Sequence, residues 1–153
     1  MCRIAILFVL TLACVSGNAV GEDAVKSDLQ LFQGTWQPVF IKNSEGVIVS
    51  ADDLKATRLF VKGNEFTFTN KEASISGTFT IDPSKIPKTI DFLLANSKSP
   101  DEKFLGVYEI RGERRLSCFA FPKQERPRVL RPAEKGYLMF EWKPTREPIQ
   151  KER

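Results

Sequence analysis

Short runs in which apolar and polar residues alternate make up most of this chain from residue 29 onward. The run NEFTFTN places Phe66 and Phe68 on one face, and GYLMFEW does the same with Leu138, Phe140 and Trp142. A period of two is the repeat of a β-strand with one buried and one wetter face, because successive side chains point to opposite sides. The chain is therefore expected to be all-β, with antiparallel strands, since an antiparallel sheet can leave one face in water.

Residues that tolerate or preset the backbone angles of tight turns separate these runs: Ser44-Glu45-Gly46, Gly63-Asn64, Asp82-Pro83-Ser84, Arg111-Gly112 and Lys135-Gly136. Counting between the turns predicts eight strands, at residues 34–42, 57–62, 65–70, 74–81, 88–94, 103–110, 114–121 and 136–143. Ser50, with a carboxylate three residues later at Asp53, predicts one short helix after the first strand. Strands of this kind form a sandwich or a closed barrel, and closure removes exposed edges.

The first 21 residues differ from the rest of the chain. One early cation, Arg3, is followed by an uncharged apolar run from Ile4 to Val15 and then by small residues up to Gly21. This order is typical of a secretory signal peptide, whose apolar run is too short to span a bilayer as a lasting helix. Residues 1–21 are thus predicted to be removed on export to the periplasm or the extracellular space. Residues 22–153 then form one domain with a polar tail after about residue 144.

Two alternatives to a cleaved leader stay open. The apolar run can remain as an uncleaved anchor, or Cys14 can carry a lipid, since a small residue, Ala13, precedes it as lipidation requires. Cleavage after Ala19 and cleavage after Gly21 both fit the small-residue rule. In the cleaved chain Cys118 is the only cysteine, so no internal disulfide can form and the core must hold the fold.

The composition restricts the chemistry that is open to the chain. It contains no histidine, which excludes Ser-His-Asp and Cys-His catalysis and removes the commonest transition-metal ligand. Its carboxylates show no spacing that brings two of them together, so we expect no enzyme activity, metal or cofactor. The 23 basic residues include Arg3, so the cleaved chain has 22 against 19 acidic ones. This net charge of +3 is too small to indicate nucleic acid as a partner.

Gly34-Thr35-Trp36 is similar to the Gly-x-Trp motif that opens the first strand in the lipocalin superfamily. Further segments follow in order at 77–91 (GTFTIDPSKIPKTID), 105–112, 116–120 and 126–127. Together, over about residues 29–143, they resemble the lipocalin-like family of small secreted proteins that is abundant in planctomycete bacteria. The resemblance implies export and an up-and-down barrel of about eight strands. It implies no catalytic residues.

The resemblance also implies that Trp36 packs across one end of the barrel with a cation over its indole. Lys143 and Arg146, at the end of the last strand, are the candidates for that cation. Gly34 is expected to let the entering chain bend closely past the same end, because glycine accepts backbone angles that other residues avoid. Trp36 then closes this end against water.

The twelve phenylalanines make the barrel interior the first candidate site. A pocket for a small apolar or amphipathic ligand is expected to be lined by Phe66, Phe68, Phe79, Phe92, Tyr108 and Phe140. Tyr108 is expected to orient the ligand, because a buried hydroxyl needs a hydrogen-bonding partner. The alternative is a core that these side chains fill completely, as small eight-stranded barrels permit.

Segment 122–135 (PKQERPRVLRPAEK) is the second candidate site. Its arginines, Arg126, Arg128 and Arg131, suit phosphates or sugar acids of an envelope surface, or a protein partner. The alternatives are a solvated loop and, for Arg126, a structural ion pair. The sequence thus predicts an exported, non-catalytic, monomeric binding module. The competing prediction is a solid barrel whose arginine-rich segment 122–135 contacts a partner.

Overall fold

The computed structural model describes residues 19–99, 102–132 and 135–145. The predicted leader before residue 19, with Cys14, and the predicted tail from Arg146 onward lie outside these residues. The helices are α1 (Ala19–Phe32) and α2 (Ala51–Ala56). The strands are β1 (Gly34–Asn43), β2 (Gly46–Val47), β3 (Arg58–Lys62), β4 (Glu65–Thr69), β5 (Ser74–Asp82), β6 (Lys88–Leu94), β7 (Phe104–Arg111), β8 (Arg114–Ala120) and β9 (Tyr137–Thr145). Neither helix in this part of the chain has the length and apolar character needed to cross a membrane.

Strand β1 closes the sheet into a barrel. Strands β3 to β9 pair in sequence order, each antiparallel to the next, and β1 pairs with β3 through residues 34–36 and with β9 through residues 35–42. An irregularity in the register between Pro38 and Phe40 bends β1 between its two partners. The two-residue β2 pairs only with the end of β1. The prediction of an antiparallel up-and-down barrel of eight strands is therefore confirmed.

Two hydrophobic clusters lie on opposite sides of the sheet. The larger one fills much of the barrel and includes Trp36 and Trp142. The smaller one lies on the outer face of β7, β8 and β9, includes Val107 and Cys118, and is partly covered by Leu130 of segment 122–135. Burial raises the pKa of the Cys118 thiol to about 11, so this cysteine stays a thiol at neutral pH, as an inert core residue does.

The short helix after the first strand begins where the sequence predicts. The Ser50 hydroxyl accepts a hydrogen bond from the Asp53 backbone N–H at 3.2 Å, which satisfies one of the free donors of the first turn. Helix α1, in contrast, is not predicted. Its inward face carries Leu29 and Phe32 and, beside them, a buried acid, Asp28. That charge interrupts the apolar stripe by which an amphipathic helix is recognised.

Strand direction assigns every connection to one of the two ends of the barrel. Helix α1 and the hairpins β3–β4, β5–β6 and β7–β8 lie at one end, named here the closed end. The connections that follow β1, β4, β6 and β8 lie at the opposite end, named here the mouth. The candidate site lies inside the barrel between these two ends.

Candidate functional site

The barrel contains a cavity of about 210 Å³. Helix α1 and all eight barrel strands contribute side chains to its wall, and all of these are apolar except Arg115 and Ser117. Sites for drug-sized ligands measure roughly 300–1,000 Å³, whereas an apolar cavity of about 150 Å³ accepts benzene. The interior is thus neither filled completely nor wide.

Five of the six residues predicted to line the interior do so: Phe66, Phe68, Phe79, Phe92 and Phe140. Their rings touch each other and narrow the space. Phe66 meets Phe92 edge to face with 4.8 Å between ring centroids, and Phe140 stacks on Trp142 at 5.4 Å. Such aromatic pairs prefer fixed geometries, so they hold the cavity wall in shape. That this wall binds a ligand stays a prediction.

Tyr108 has a structural role instead of the predicted one. It is not part of the cavity wall. Its hydroxyl donates to Oδ2 of Asp28 at 2.7 Å, and Nζ of Lys88 donates to the same oxygen at 2.7 Å. Burial, followed by the Asp28 carboxylate, raises the pKa of Tyr108 above its ordinary value. The predicted role in orienting a ligand is corrected, because this hydroxyl already binds α1 to the barrel.

Trp36 lies at the closed end, as predicted, and is 5% exposed. Its indole Nε1 donates to the carbonyl oxygen of Phe32 at 2.8 Å, which ties β1 to the end of α1. The cation over the indole is Arg115 of β8, whose guanidinium carbon is 4.7 Å from the ring centroid. The prediction of Lys143 for this position is wrong, because Lys143 follows the inward-facing Trp142 and is therefore exposed on the outer face. The other candidate, Arg146, lies outside the described residues.

Arg115 also links α1 to the β7–β8 hairpin at the closed end. Its Nε and Nη2 donate to the carbonyl oxygen of Leu31 at 2.9 and 2.7 Å, in the last turn of α1, where a cation is favourable. Its Nη1 donates to the carbonyl oxygens of Gly112 and Arg114, at 2.9 Å each, in the β7–β8 hairpin. Arg114, the preceding residue of β8, lies on the opposite face of the strand, points outward and pairs with Glu141 at 2.7 Å. Sequence alternation along β8 is the one signal that distinguishes them.

Gly34 makes the bend between α1 and β1. Its φ of +106° lies in a region that side chains with a Cβ avoid, which explains the glycine. A Cβ at this position would meet no atom within 4 Å. The expected bend is thus present, but the expected close approach to the barrel is not.

Burial of the inward side chains decreases from the closed end to the mouth. Trp36 and Ile90 are buried, whereas Phe104 and Leu138 are half-buried and Ile75 is 38% exposed. All five face the cavity. The cavity therefore opens toward the mouth.

The strand β8 side of the wall was not predicted from the sequence. Besides Arg115 it consists of Ser117 and Phe119, and the Phe119 ring lies across Gly106 of β7, where a Cβ would come within 2.4 Å of it. Because Gly106 has no side chain, the Phe119 ring can lie against its backbone. The alternation along LSCFAF does put both residues on one face, but the opposite face, with Leu116, Cys118 and Ala120, is apolar as well. The pattern therefore gives no reason to choose either face as the inward one.

Segment 122–135 is anchored to the outer wall by Arg126. Its Nη1 donates to the carboxylate of Asp91 and to the carbonyl oxygen of Gly106, the latter at 2.7 Å. The structural ion pair, one of the alternatives for this residue, is therefore what the structure shows. Arg128 and Arg131 are exposed. Arg128 lines a groove of about 890 Å³ next to the β5–β6 hairpin, where Ile86 is fully exposed.

Within the described ranges, no three His, Cys, Asp or Glu side chains are grouped so that they could hold a metal ion. No protein-family model and no curated protein matches this sequence. The lipocalin-like resemblance therefore enters the functional argument as an expectation only.

Proposed function

We propose that this protein is an exported, non-catalytic binding module of the lipocalin-like kind that holds a small apolar or amphipathic molecule inside its barrel. The cavity of about 210 Å³ is the observation that carries the proposal. The predicted leader at residues 1–21 is the basis for export.

The free-energy cost of an empty cavity favours the binding of a ligand there. Unfilled volume in a protein core costs about 24 cal/mol per Å³, so a cavity of 210 Å³ corresponds to about 5 kcal/mol as an upper figure. A larger side chain at a lining position such as Val61 would fill part of it. A ligand recovers the same dispersion contacts without a change in sequence.

The arrangement of the two ends supports entry through the mouth. Helix α1 covers the closed end, and the hydrogen bonds of Arg115 and Tyr108 hold it there. Inward side chains at the mouth, such as Leu138, are apolar and half-buried, so no hydrogen bond holds them in place. They are therefore the side chains that can move aside at the lowest cost.

The test uses toluene as an apolar probe, titrated into the purified protein by calorimetry, together with native mass spectrometry for copurifying compounds. Leu138→Trp adds volume at the cavity wall and should weaken toluene binding at least tenfold. Leu31→Trp is the matched control, because Leu31 is an exposed residue of α1 at the other end. Absence of toluene binding together with absence of any copurifying compound would reject the proposal, as would equal effects of the two variants.

A second candidate function is contact with a partner through segment 122–135 and the adjacent outer groove. The fully exposed Ile86 and the exposed Arg128 favour it, since they line one groove and present apolar and cationic surface there, and Arg131 lies next to Arg128. Arg128→Glu with Arg131→Glu should then abolish association with isolated envelope fractions. Arg126 is left intact in this test because it anchors the segment. Unchanged association would exclude this candidate.

A further inference from the structure

Among the described residues that line the cavity, Ser117 provides the only hydroxyl. It lies on β8 opposite Tyr108 on one side and Phe140 on the other, and it faces the interior like both of them. The residue is 5% exposed. Among the residues that the structure describes, none exchanges a hydrogen bond with its Oγ. The oxygen is not sealed between other atoms but borders the cavity.

A buried water molecule is a poor partner for this hydroxyl. Ordered water in a protein interior makes about three hydrogen bonds, and an apolar cavity stays dry. Here the other polar residue of the wall is Arg115, whose N–H groups donate to the carbonyl oxygens of Leu31, Gly112 and Arg114. A hydroxyl without a partner is costly in such surroundings, so an oxygen atom of the ligand is the group that fits there.

The same contacts argue against a charged ligand group. A carboxylate that enters an apolar cavity loses its water and needs several strong hydrogen bonds in return. Arg115 cannot present a two-pronged fork to one, because four of its five N–H groups already donate to the backbone carbonyls of α1 and the β7–β8 hairpin. Ser117 alone offers a single hydroxyl. A neutral oxygen, which needs only one hydrogen bond, matches this site.

We infer that the ligand is a neutral molecule of about one ring in size that carries one oxygen, and that this oxygen forms a hydrogen bond with Ser117. The cavity volume of about 210 Å³ sets the size, since about 150 Å³ accommodates benzene. Aromatic alcohols, phenols and aromatic aldehydes belong to this class. The inference rests on the proposed function and adds the chemical class of the ligand.

The test compares toluene, benzyl alcohol and benzoate as probes of one ring, by calorimetry on the full chain. Ser117→Ala should weaken benzyl alcohol binding about threefold to tenfold, the value of one neutral hydrogen bond, and leave toluene binding unchanged. Ser117→Thr keeps a hydroxyl and should keep the ratio of the two affinities. Ser76→Ala is the matched control, because Ser76 is exposed on the outer face of β5 and should change neither.

The outcomes separate the two proposals. If toluene binds but Ser117→Ala affects it and benzyl alcohol equally, or affects neither, the role of Ser117 is wrong while the binding function stands. If benzoate binds more tightly than benzyl alcohol, the neutral class is wrong. If neither toluene nor benzyl alcohol binds the parent protein and no compound copurifies with it, both proposals fail. Near-ultraviolet circular dichroism identical to that of the parent shows that each variant is folded.

Discussion

At the closed end of the barrel, polar side chains hold α1 against the strands, whereas at the mouth the inward side chains are apolar and half-buried. Asp28, Lys88 and Tyr108 share one set of hydrogen bonds at the closed end, and Arg115 donates to the backbone of α1. At the mouth, Phe104 and Leu138 face the cavity without such partners. One end is therefore held in a single geometry, and the other is held by packing alone.

This difference separates architecture from site. A buried polar network with every group satisfied specifies one arrangement, because any shift leaves a group without a partner. Apolar side chains that are half in water lose little when they move. The Gly-x-Trp motif belongs to the first kind of region, and Ser117, between the two ends, is the polar group that the network does not use.

The largest expected effect is that of Trp36→Ala at the closed end. The change removes a buried aromatic side chain together with its hydrogen bond to Phe32 and its contact with Arg115. It should lower the free energy of unfolding by about 3–5 kcal/mol. Urea denaturation measures this loss, and a variant as stable as the parent would show that Trp36 does not close the barrel.

Arg115→Ala should lower the free energy of unfolding by about 2–4 kcal/mol. The change removes four hydrogen bonds to backbone carbonyls and leaves the Leu31 carbonyl without its partner. Arg114→Ala is the matched control, because its exposed ion pair with Glu141 is worth about 0–1 kcal/mol. Equal losses in the two variants would contradict the role given to Arg115.

Truncation of one aliphatic residue at each depth sharpens the comparison. Ile90→Ala, deep in the barrel at 1% exposure, should cost about 2–5 kcal/mol, and Leu138→Ala at the mouth about 1 kcal/mol. The reason is that Leu138 is already partly in water, so its removal creates less buried empty volume. Thermal or urea unfolding of the two variants measures the difference. A larger loss for Leu138→Ala would show that the mouth is as tightly packed as the interior.

The smallest expected effect is a pH dependence from Tyr108. The pKa of Tyr108 is raised above its ordinary value of 10.0 in the folded protein, so the folded state favours the protonated phenol. Its contribution to stability is complete below about pH 10 and is lost as the pH rises toward the raised folded value. Tyr108→Phe should cost about 1 kcal/mol at pH 7 and make the decrease above pH 10 less steep.

Urea unfolding of Tyr108→Phe and of the parent at a series of pH values from 7 to about 11 measures the change. If the loss of stability at high pH is the same in Tyr108→Phe as in the parent, the Tyr108–Asp28 hydrogen bond does not stabilise the closed end.

The strands were predictable because their signal is local. Alternation such as that of Phe66 and Phe68, with a turn on each side, determines both the presence of a strand and the face that turns inward. The eight predicted ranges agree with the observed strands to within two residues at each end. Ser50 likewise marks α2 through a contact only three residues long. Helix α1 was not predicted, because its buried face includes Asp28, whose partners Lys88 and Tyr108 come from distant strands.

The sequence by itself determined eight alternating strands, the inward face of those whose alternation is clear, such as β4, and Trp36 as a core residue. The tertiary structure alone decided that Arg115 and not Lys143 covers the indole, that the Tyr108 hydroxyl is taken by Asp28, and that Ser117 faces an open cavity. These outcomes depend on the register in which remote strands meet when the barrel closes. The cavity depends further on whether the inward rings fill the space between them, and no local pattern in the chain contains that volume.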